Sequence, residues 1–129
     1  MSLIRLTDPD FRVCEISLDT LLVIQTEAEA RGWATRWSSA GALRSQVREG
    51  VVVVRPLMRE ERGGVVQAYR CLLLFAVAGD QNAGGVATID IAPERLESLE
   101  RIDRDPVVRR ALARMFSLAS GGISMISKA

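Results

Sequence analysis

Residues 51–78 read VVVVRPLMREERGGVVQAYRCLLLFAVA, and the fold is decided in this stretch. Val51 to Met58 is β-branched and apolar on both alternations until Arg55 and Pro56 interrupt it. The charged, glycine-ended run from Arg59 to Gly64 has the composition of a hairpin tip. Val65 to Ala78 then predicts a long strand. Tyr69, Cys71, Leu73, Phe75 and Val77 would line one face, and Leu72, Leu74 and Ala76 the other. A strand apolar on both faces must be covered on both, as a central strand is.

Outward from this hairpin, Asp80-Gln81-Asn82-Ala83-Gly84-Gly85 supplies turn residues, and Val86 to Ile91 a third strand. Its alternation sets Ala87, Ile89 and Ile91 against Val86, Thr88 and Asp90. Together the three read as an antiparallel meander. Upstream, Phe11 to Leu18 is strand-like, and Ser17 or Asp19 can cap a helix that runs to Arg31 and stops at Gly32. Leu18, Leu21, Ile24 and Ala28 would form its inward stripe, which Gln25 and Glu29 crowd on the Leu22 side. Trp33 to Trp37 alternates as a short strand does. Ser38 or Ser39 then caps a brief helix with Ala40, Leu43 and Val47 on one face, closed by Gly50.

Downstream, Pro93 opens a helix with Leu96, Leu99 and Ile102 on its buried edge, since a first-turn residue needs no backbone donor. Asp105 caps a second helix. On its wheel Val108, Ala111, Leu112, Met115 and Ala119 cluster, flanked by Phe116 and Leu118, with Arg110, Arg114 and Ser117 opposite. Gly121-Gly122 would stop it, and Ile123 to Ile126 would add a last strand. The expected fold is one α+β domain over residues 1–129. It comprises an antiparallel meander of three or more strands, an N-terminal helix and two C-terminal helices packed on the sheet.

Composition narrows the function mainly by exclusion. The chain has no histidine and two cysteines among 129 residues. Ser-His-Asp and Cys-His catalysis are thereby excluded, with most zinc sites and any intrachain thiolate cluster. Cys14 and Cys71 stand in apolar surroundings, as buried thiols do, and Cys71, mid-strand between Arg70 and Leu72, has no helix N-terminus near it in sequence, so little would lower its pKa. The loop around Gly79 to Gly85 lacks the spacing of a phosphate-binding loop and leads into a strand. Carboxylate chemistry would fall to Asp80, Asp90, Glu60 or Glu61. No cofactor and no metal are expected.

A net charge of +1 provides no global field for nucleic acid or membrane, but the charge is blocked. Residues 1–30 carry two basic and six acidic side chains, 31–62 seven and three, 63–105 four and seven, and 106–129 four and none. Sixteen of the seventeen basic residues are arginine, which points first to coding bias in a GC-rich bacterial genome and only second to phosphate or carboxylate recognition by guanidinium forks. Arg109, Arg110 and Arg114 are then either an interaction surface or the counterpart of Glu94, Glu97 and Glu100 on the preceding helix. Trp33 and Trp37 are either binding anchors or core. The chain starts with charge too early for a signal peptide, and its longest apolar run is too short to span a bilayer, so the expected compartment is the cytoplasm.

The function expected is a non-enzymatic protein-interaction module: an adaptor, a specialised chaperone, or an inhibitor or immunity-type partner. Its partner would be another protein or a second copy in a homodimer that covers a bare sheet face. The alternatives are a small-ligand or nucleic-acid regulator acting through its arginines, and a carboxylate-dependent enzyme.

Overall fold

The computed structural model describes residues 2–7, 12–48, 50–79 and 84–128, the last ten of these as backbone. The elements in chain order are β1 (Ser2–Arg5), β2 (Cys14–Ser17), α1 (Leu18–Arg31), α2 (Ala40–Gln46), β3 (Val51–Arg62), β4 (Val65–Ala76), β5 (Gly84–Ile91), α3 (Pro93–Glu97) and α4 (Pro106–Lys128). The strands form one antiparallel sheet in the order β1-β3-β4-β5. β1 pairs with the distal half of β3 and β2 with its first four residues, so the two lie end to end along one edge.

The β3–β4 hairpin is longer than its sequence indicated. Gly63 and Gly64 both have positive φ, 58° and 79°, which makes a two-residue turn whose twist matches the strands. Arg59 to Arg62 therefore belongs to β3 rather than to a tip. Pairing survives there through two irregularities, between Pro56 and Met58 and between Glu60 and Glu61. Proline lacks a donor, and a bulge is where a sheet tolerates it.

The helices divide between the two faces. On one, α1, α2 and α3 enclose Ile16, Leu21, Ile24, Leu43, Val52, Val54, Cys71, Leu73 and Ile89. On the other, Leu112 and Phe116 of α4 pack on Val13 and Leu72 with Val53, Leu57, Leu74 and Val86 around them. The centre of the two-sided apolar strand β4, Cys71 to Leu73, is thus buried within one chain.

Local signals placed most helix ends. The Ser17 side chain accepts from Thr20 N at 3.2 Å, and Gly32 at φ 66° closes α1. Ser39 accepts from Ala42 N at 3.1 Å to start α2, and Asp105 Oδ1 accepts from Val107 N at 2.8 Å to start α4. Four expectations need correction. α3 ends at Glu97, where Ser98 N and Leu99 N donate to Arg95 O and Leu96 O, so Leu99 and Ile102 lie beyond the helix. α2 ends at Val47 rather than Gly50, because Arg48 N donates to Ala76 O and Ala78 N to Gln46 O, which draws the chain onto the end of β4. Trp33 to Trp37 is no strand. It makes a single bridge, Thr35 to Ile89, and the buried Gln25 holds it by donating Nε2 to Trp37 O at 2.9 Å and accepting from Thr35 Oγ1. Finally, α4 runs through Gly121-Gly122 to Lys128 in place of a closing strand. Glycine costs a helix only about 1 kcal/mol per residue, and it ends one only where the backbone turns left-handed.

β1 was not anticipated. Its residues are mostly exposed, and register with Met58 to Glu61 gives it strand form. The expected turn at Asp80 to Ala83 and the start of the first expected strand at Phe11 lie outside the described residues. No helix of the described residues is long and apolar enough to cross a membrane.

Candidate functional site

α4 is the element whose surface does not match its packing. At about 100° per residue, Val107, Leu118, Ala111, Met115 and Val108 fall within an arc of roughly 100°, and Leu112 and Phe116 continue it. The centre of that apolar face lies over Met115, yet the helix seats on the sheet through Leu112 and Phe116, at one edge. Phe116 is fully buried beneath the Arg55 guanidinium, 5.9 Å from its ring centroid. Val107, Val108, Met115 and Leu118 remain 65%, 41%, 49% and 74% exposed. Arg110 and Arg114 border the stripe on the side away from the sheet contact and pair with no acid among the described residues.

The acids of α3 do not serve this helix. Glu94 pairs with Arg31 at 3.4 Å and Glu97 with Arg12 at 2.9 Å. Arg95 turns back to Glu27 at 2.5 Å, which fixes α3 to α1. α3 and α4 lie on opposite faces of the sheet, so the complementarity expected between Glu94, Glu97, Glu100 and the following arginines is not formed by the two described pairs.

The five residues singled out from the sequence do not form one surface. Arg109, Arg110 and Arg114 lie on α4, half-buried, exposed and exposed in turn. Trp37 belongs to the core of the opposite face. Its indole Nε1 donates to Gln46 Oε1 at 3.0 Å, and its ring meets Phe75 edge-on at 5.5 Å. Trp33 is half-buried at the end of α1, with the Arg31 guanidinium 4.7 Å from its ring centroid.

Trp33 borders a second feature, an open groove of about 430 Å³ where the end of α1 meets β3, β4 and β5. Register sets Arg70 opposite both Met58 and Asp90 and leaves Glu60 two positions farther along β3. Arg70 Nε donates to Asp90 Oδ1 at 3.1 Å, and Nη2 donates to Glu60 Oε1 at 3.0 Å. Asp90 Oδ2 also accepts from Ala34 N at 3.3 Å, so one buried carboxylate ties the Trp33 loop to the sheet. Burial, then the neighbouring Asp90 charge, pushes the Glu60 carboxyl above the usual range, while Arg70 opposes the shift. Asp90 and Glu60 were separate candidates in the sequence. The structure brings them together, whereas Glu61 turns aside to Arg59 at 2.6 Å and Asp80 lies outside the described residues.

Both cysteines are buried and free, and burial is the main cause that raises each thiol, Cys71 well above its ordinary value. Among the described residues no group of three Cys, Asp or Glu side chains is placed to hold a metal ion. Comparison of the chain with protein-family models, with curated proteins and with solved structures gives no match.

Proposed function

We propose that this protein acts by binding another protein through the exposed apolar stripe of α4. The observation that carries this reading is the offset between the apolar face of α4 and its contact with the sheet. A helix folded only for its own domain centres its apolar arc on the core. Here Leu112 and Phe116 are inside, and Val107, Val108, Met115 and Leu118 face outward together.

Charge selects the partner. Residues 106–129 contain four basic residues and no acidic one. Two copies joined through α4 would bring arginine-only rims together, a like-charge arrangement that costs binding. The fitting partner is a different protein with an apolar groove and an acidic border. An anionic membrane is a poorer fit. Arg110 and Arg114 flank only one side of the stripe, and the other side runs into the buried Leu112 and Phe116.

The test is site-specific photo-crosslinking from position 118 in extracts of the native host, with position 23 on α1 as control. The captured protein is then purified and titrated with wild type and with the Met115→Glu/Leu118→Glu variant. Support is a purified protein that crosslinks from 118 alone, binds wild type saturably, weakens with salt and fails to bind the variant. Equal crosslinking from 23, a homodimer joined through α4, or binding to phosphatidylserine vesicles in its place would each refute the proposal.

A further inference from the structure

The groove beside Trp33 carries a charge gradient. At its inner wall Arg70 stands between Glu60 and Asp90, so the fully ionised triad is net negative. At its mouth are Arg31, which pairs with the highly exposed Glu94, and Arg62, which has no ion pair among the described residues. The open groove, about 430 Å³, has room for a small molecule.

Negative inside and positive outside is the complement of a molecule with a cation at one end and an anion at the other. We propose that the groove binds a small zwitterion of the α-amino acid class, with its ammonium against Glu60 and its carboxylate held by Arg62 and Arg31. Glu60 is the group to meet the ammonium. Asp90 is almost fully buried and accepts from Arg70 and the Ala34 amide, whereas the Glu60 side chain, which accepts from Arg70 through Oε1, keeps 14% of its surface exposed in the groove. Burial and the Asp90 charge both disfavour the ionised form of Glu60 despite its pairing with Arg70, and an incoming cation offsets them with an opposite charge. The arginines supply planar forks suited to a carboxylate. The residues that line the groove lie outside α4, so its occupancy can be measured without the partner of that helix.

The experiment is titration calorimetry of the full chain against each standard α-amino acid, its deaminated analogue (glutarate for glutamate) and inorganic phosphate. At least one amino acid is expected to bind saturably, about tenfold or more tighter than its deaminated analogue, a difference of about 1.4 kcal/mol. Glu60→Gln should abolish that preference. Arg62→Ala, at an exposed strand end where folding is not at stake, should weaken the amino acid and its analogue alike. Absence of saturable binding up to ~10 mM by any amino acid would overturn the proposal. So would phosphate or the deaminated analogue binding equally well, which would make the groove a simple anion seat, or an Arg62→Ala protein that binds as wild type does.

Discussion

Phe116 is fully buried and Leu118, two residues later on the same helix, is 74% exposed. The two side chains do different work. Phe116→Ala removes the aromatic anchor of α4 and should cost roughly 3–5 kcal/mol, whereas Leu118→Glu should change stability by no more than about 0.5 kcal/mol. Urea denaturation followed by circular dichroism separates them. A Leu118 variant as unstable as the Phe116 variant would show that the stripe belongs to the domain core.

Gly85 lies opposite Phe75 in the β4–β5 register, and a Cβ built on it would overlap the Phe75 ring. That ring is in turn held edge-on to the buried Trp37. Gly85→Ala should therefore destabilise the fold by about 1–3 kcal/mol through overpacking. An unchanged denaturation midpoint would mean that the Phe75 ring yields freely.

Some of this architecture was readable from the residues and some was not, for physical reasons. The alternation in Val65 to Ala76 and Val86 to Ile91 has a period of two, so the faces of β4 and β5 followed directly. The caps at Ser17, Ser39 and Asp105 are short-range chemistry and were equally legible. The seating of α4 was not. Its apolar arc is wider than one sheet contact, and composition does not say which edge of the arc the sheet takes. Gln25 looked like a flaw in the α1 stripe and is instead a buried bracket for Thr35 and Trp37, which only the path of the next segment reveals. The meeting of Glu60 with Asp90 depends on a register set by the irregularity at Pro56 and Met58, a feature with no sequence period.

Glu60 supplies a pH dependence with a definite sign. Its carboxyl holds a proton more tightly in the fold than at the ordinary value of 4.5, so the folded state binds more protons between those two values. Stability should fall as pH rises from 4.5 through the raised folded value, and Glu60→Gln should flatten that part of the profile. Thermal unfolding of both proteins across this range is the check. A wild-type profile that climbs through the window would contradict the assignment.

Cys14 and Cys71 should be silent in the native protein. Both are buried with raised thiols, and the thiolate is the reactive form. A chromogenic disulfide reagent at mildly alkaline pH should label neither thiol in the fold and both in denaturant. Rapid labelling without denaturant would place either cysteine at the surface.

The decisive measurement is the affinity of the purified α4 partner for three proteins: wild type, Met115→Glu/Leu118→Glu and Val23→Glu, the last altering an exposed apolar residue on α1. A stripe that forms the binding surface predicts a loss of at least about tenfold, or 1.4 kcal/mol, for the α4 variant and wild-type affinity for the α1 variant. Undiminished binding by the α4 variant, with its fold intact, would contradict the account.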